Sequence, residues 1–141
     1  MTAPRYVPRD FLVEPRDFGR RPSPQWRLIE DDWTFQRRAQ LDASISQHGI
    51  SYGVREIYMR APNATKITDL AAELEIEYHR LQKMLGGLIV MQMEDLARLR
   101  LLVGTRLDYW MMRGEAAQYA RAMEREFHRK KERQAERAAA S

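Results

Sequence analysis

A chain of 141 residues has room for one small hydrophobic core plus extensions, and two independent cores are not expected. Its composition is 44% hydrophobic and 31% charged, and no apolar run approaches the roughly 18 residues that cross a bilayer, so no membrane role is expected. The absence of cysteine excludes disulfide staples and thiolate metal sites and makes the cytoplasm the default compartment.

The formal charge of +4 sits in the flanks. Residues 1–26 carry five Arg against three acids, and 27–62 are balanced at five of each sign. Residues 63–104 carry five basic against six acidic residues, and 105–141 nine against six. A basic chain of this kind commonly meets nucleic acid, although a solvated surface of mixed charge accounts for the same numbers.

The N-terminal stretch MTAPRYVPRDFLVEPRD lacks the apolar run and the small-residue cleavage site of a secretory signal. It belongs to a segment holding every proline except Pro62, namely Pro4, Pro8, Pro15, Pro22 and Pro24. Proline removes a backbone donor and disfavours helix at the residue before it, which predicts an extended, Pro/Arg-rich arm over residues 1–30. Asp31 or Asp32 offers an N-cap for a helix through WTFQRRAQLDASISQHG that stops at Gly49. A second helix fits SYGVREIYMRA, where Val54, Ile57, Tyr58 and Ala61 keep the i, i+3, i+4, i+7 spacing of a core-facing stripe. Pro62 and Asn63 end it.

Thr65 or Thr68 caps the next helix, which carries Leu70, Ala71 and Leu74. After Glu75 and Ile76 another helix places Leu81, Met84 and Leu85 inward and closes at Gly86 and Gly87. LIVM, residues 88–91, reads as a buried connector. MEDLARLRLLVG forms a further helix ended by Gly104, and a long charged helix follows from Thr105.

The stretch ITDLAAELEIEYHRLQKMLGG carries the functional reading. Two short helices crossing at about a right angle need an apolar residue followed by a small one at the crossing, which Leu70 and Ala71 supply. They need apolar anchors on both sides of the turn, Leu74 and Ile76, and inward positions on the second helix, Leu81 and Met84. This frame matches a helix-turn-helix. With Val54-Arg55-Glu56-Ile57 before it and Asp95-Leu96-Ala97-Arg98-Leu99 after it, the segment over roughly residues 50–105 resembles the five-helix domain of the Cro/cI-type repressor family. Two positions depart from that family. Glu75 stands where glycine is usual at the turn, and Glu77 where Ser, Thr or Gly usually opens the recognition helix. Two carboxylates beside a phosphate backbone weaken binding, so either the turn points them away or the motif serves another purpose.

The resemblance implies a recognition helix over residues 77–86 with Tyr78, His79, Gln82 and Lys83 facing the major groove. There glutamine can pair with adenine and lysine can donate to guanine. Arg80 lies on a side suited to phosphate, while Lys66 and Thr68 at the start of the preceding helix would meet the backbone. The alternative is that these residues form the solvated face of a core helix.

In the last helix Tyr109, Met112, Ala116, Tyr119 and Met123 alternate three and four residues apart, the spacing of a coiled-coil seam that would make a homodimer. A helix that folds back over its own core explains the same spacing. Beyond Phe127, HRKKERQAERAAAS offers basic residues without apolar partners and suits non-specific phosphate attraction.

No catalytic motif accompanies these features. His48, His79 and His128 lie in separate segments without metal-ligand spacing, and neither a P-loop nor a nucleophile elbow is present. Trp26, Trp33 and Trp110 suit packing better than single-strand stacking. The sequence therefore predicts an all-α protein that needs no cofactor or metal and is not an enzyme. Its plan is an arm (1–30), a helix-turn-helix domain of about five helices (31–106) and a long C-terminal helix (107–141). The expected partner is double-stranded DNA, bound by a repressor of phage or mobile-element type. A terminase-like small subunit and a protein-interaction adaptor are the competing readings.

Overall fold

The computed structural model describes residues 6–140, without the side chains of 113–124. The chain is all-α. The helices are α1 (Phe35–Val54), α2 (Ile67–Leu74), α3 (Tyr78–Leu85), α4 (Met93–Val103) and the long α5 (Arg106–Ala140). Among the described residues no strand forms, beyond an isolated antiparallel bridge between Leu12 and Trp26. None of the described helices is long and apolar enough to cross a membrane.

The first helix differs from the expected pair. Its N-cap is Thr34, whose hydroxyl accepts the Arg37 N–H at 3.1 Å, and not Asp31 or Asp32. Gly49 does not stop it. The helix runs through both Gly49 and Gly53, and the backbone and side chain of Trp110 on α5 lie where their Cβ atoms would be. Glycine here permits close helix approach, a role that local pattern does not separate from a stop. After Val54 the chain widens into a π-helical turn, Arg55–Met59. The wider turn breaks the 3.6-residue phase, and of the expected stripe only Val54 is buried, while Ile57 and Ala61 are exposed.

Two apolar clusters share α1. The larger gathers Ile50 and Val54 with Leu70, Ala71, Leu74, Ile76, Leu81, Met84 and Leu85, closed by Leu99 of α4 and by Leu107 and Trp110 of α5. The smaller comes from the segment expected to be an extended arm. That segment contains no α-helix, in keeping with its prolines, yet it folds back on itself. Pro8 and Pro15 open single 3-10 turns, where a missing N–H and a fixed φ are suited to the first position. Val13 N–H then donates to the Gln25 carbonyl at 3.0 Å and Arg27 N–H to that of Phe11 at 2.8 Å. This buries Phe11, Leu12, Phe18 and Trp26 against Leu41 and Ile45 of α1.

The long helix α5 folds back along α1, with Leu107 and Trp110 buried. Tyr109 and Met112 of the expected dimer seam point to solvent. Ala116, Tyr119 and Met123 lie outside the described side chains.

Candidate nucleic-acid interface

Lys66 is the N-cap of α2 and no side chain caps the helix, so neither Thr65 nor Thr68 has the capping role expected of it. Lys66 and Thr68 are both exposed beside that first turn. The helix ends at Glu75, which takes the left-handed conformation (φ 55°, ψ 39°). This is the conformation glycine adopts without steric penalty, and the structure shows what holds a glutamate there. Arg98 of α4 donates from Nη1 to the Leu74 carbonyl at 3.0 Å and to the Glu75 carbonyl at 3.2 Å, and pairs through Nη2 with Glu94. The last carbonyls of α2 thus gain a cationic partner.

Ile76 is buried beneath the turn, and Glu77 caps α3. Its two carboxylate oxygens accept the N–H groups of His79 (3.0 Å) and Arg80 (2.9 Å). These two hydrogen bonds, together with the nearby His79 and Lys83, hold the Glu77 carboxyl below the usual carboxylate range. Glu77 thereby fills the N-terminal anion site of α3, leaving the start of α2 as the open helix end of the pair.

Leu81, Met84 and Leu85 turn fully inward. The helix closes with a Schellman motif, in which Gly87 N–H donates to the Met84 carbonyl at 3.2 Å and Leu88 N–H to that of Lys83 at 2.9 Å. Gly87 has φ 71°, and a Cβ there would press on the Phe18 ring, so the N-terminal segment packs directly on the end of α3. Arg9 N–H donates to the Gly87 carbonyl at 2.9 Å on the same side. The connector after α3 is held from α1. The buried Gln47 donates to the carbonyls of Met84 and Ile89, both at 2.9 Å, and accepts the Met91 N–H at 3.0 Å. Of that connector Met91 is buried and Leu88 is exposed.

The outward residues of α3 divide into two groups. His79, Gln82 and Lys83 are exposed. Tyr78 is half-buried, packed on the main core, and its ring meets that of His79 edge-on at 5.0 Å. Arg80 does not reach out to phosphate as expected. Its guanidinium grips the buried Asp95 of α4, with Nη2 to Oδ2 at 2.6 Å and Nε to Oδ1 at 3.3 Å. Asp95 also accepts the Gln92 N–H at 2.8 Å in a capping box. A buried carboxylate needs a cation more than an exposed guanidinium needs solvent, which makes Arg80 a strut between α3 and α4.

Gln47 and Arg98 escaped the sequence reading. Arg98 lies within a quoted motif, but its reach to carbonyls of another helix has no local signal, and Gln47 resembles any polar residue of an amphipathic helix. Comparison with protein-family models, curated proteins and solved structures found no match.

Proposed function

We propose that this protein is a sequence-specific double-stranded-DNA-binding regulator, a repressor of phage or mobile-element type that acts by occupying an operator. The observation that carries the reading is the α2–turn–α3 unit. Its apolar frame is buried from Leu70 to Leu85, its turn is left-handed at Glu75, and it leaves His79, Gln82 and Lys83 exposed along one short helix. Amide and ammonium groups on such a face suit base edges in the major groove, and Lys66 and Thr68 at the open start of α2 suit the backbone.

The test is selection of bound duplexes from a random library, followed by Gln82→Ala and Lys83→Ala. An enriched sequence is expected, and each substitution should cost roughly 1–3 kcal/mol of specific affinity with helicity unchanged. A library with no enrichment sinks the reading. A protein-adaptor function draws support from Met93 and Leu101 on α4, 78% and 89% exposed. Binding through such a surface should persist in high salt, whereas DNA binding falls steeply through counterion release.

A further inference from the structure

The α2–α3 unit is poorly charged for its proposed partner. Residues 66–85 hold three basic side chains against four acidic ones, and one of the three, Arg80, is already paired. Attraction to a polyanion must come from elsewhere in the molecule.

An open cleft of about 340 Å³ lies between the loop before α1, the first turn of α1 and the distal half of α5. Four arginines line it, Arg38 from α1 and Arg125, Arg129 and Arg133 from α5, together with Asp31 and Glu126. The three on α5 recur every fourth residue, about 6 Å apart along the axis, so they form one row. Like charges at this spacing repel. No ion pair among the described residues engages any of the four, and Glu126 approaches Lys130 instead (3.9 Å). Guanidinium groups keep their charge at any relevant pH and match phosphate oxygens with paired donors. Arg38 stands nine residues from Gln47, about 14 Å along α1, and Gln47 holds the end of α3. Nine residues also turn an α-helix by about 180°, so the cleft lies on the side of α1 away from α3 and would meet a different stretch of a bound polyanion.

We propose that this cleft is a phosphate-binding site and that the phosphates it takes are those of the backbone of bound DNA. The second half of the proposal rests on the DNA-binding reading above. The full-length chain is compared with Arg38→Gln/Arg129→Gln and with a charge-matched control, Arg16→Gln/Lys131→Gln, which removes two exposed charges that do not line the cleft. Without ligand the cleft variant should melt no lower than the parent, since no ion pair is lost and repulsion is relieved.

Inorganic tripolyphosphate should raise the melting temperature of the parent and the control by several degrees and leave the cleft variant unmoved. Against a duplex of 40 base pairs, the slope of log affinity on log salt should fall by about 2 in the cleft variant, the loss of two phosphate contacts. Equal tripolyphosphate shifts in cleft variant and control, or none in the parent, overturn the site. A shift confined to parent and control, with an unchanged DNA slope, overturns the backbone assignment in favour of free phosphate compounds. If the parent binds no duplex, the DNA-binding reading has failed, and the tripolyphosphate arm still decides the cleft.

Discussion

The two clusters on either side of α1 reach similar burial by different routes. The main core is built from helices whose apolar residues recur at helical spacing, so each helix brings a ready-made apolar face to it. The smaller one is built from a proline-rich segment with no periodicity, and its burial depends on backbone pairing between residues 11–13 and 25–27 and on contact with α1. Periodicity is therefore sufficient for a core but not necessary. The smaller cluster also supports the candidate interface, because Phe18 abuts Gly87 at the end of α3 and a side chain at Gly19 would run into Ser51, whose hydroxyl hydrogen-bonds the Leu85 carbonyl.

The largest effect should come from removing that support. Phe18→Ala empties a fully buried site and should cost about 3–5 kcal/mol in a denaturant melt. It should also increase hydrogen exchange at the amides of Gly87 and Leu88. Loss of stability without faster exchange there would separate the two regions. Leu81→Ala in the main core should cost about 2–5 kcal/mol. Equal loss of α3 protection in both variants would show that the regions unfold as one unit, whereas an intact N-terminal segment in Leu81→Ala would show that it folds independently.

His48 lies on the face of α1 that meets the N-terminal segment, its Nδ1 accepting the Gly19 N–H at 2.8 Å amid the rings of Phe18 and Trp26. Burial drives the imidazole down to about 4, against weaker opposing pulls from the Arg21 backbone and Asp17. The folded state therefore holds the neutral form and the unfolded chain binds the proton first. This contribution is complete above pH 6.5, the ordinary histidine value, and is lost progressively as pH falls towards 4, about 3 kcal/mol in all. His48→Asn, whose amide oxygen can accept the same N–H, should flatten that part of the stability profile. A profile parallel to the parent's would mean that other groups dominate acid unfolding.

A smaller effect, about 1–3 kcal/mol, is expected for Gly53→Ala. Helix propensity favours alanine by roughly 1 kcal/mol, but the added methyl enters the Trp110 ring, so the net change should be destabilising. A variant more stable than the parent would mean that α5 moves away from α1 at little cost.

Local chemistry determined much of this molecule. The frame Leu70, Ala71, Leu74, Ile76, Leu81 and Met84, the glycine-closed end of α3 and the start and stop of α4 were legible, because helical periodicity and caps act within a few residues of chain. So was the exposure of His79, Gln82 and Lys83, which follows from the burial of Leu81 and Met84 on the same short helix. What only the tertiary structure decided depends on partners far along the chain. Gly49 and Gly53 admit Trp110 instead of ending a helix, and Arg80 turns to Asp95 fifteen residues away. Arg98 secures a left-handed glutamate, and a proline-rich segment becomes a second core. In each case a group was buried, or a backbone group left without a partner, by contacts that no local window contains. For Arg80 and Arg98 the cost of an unsatisfied carboxylate or carbonyl selected the distant residue, and for Trp110 and the N-terminal segment the burial of apolar surface did.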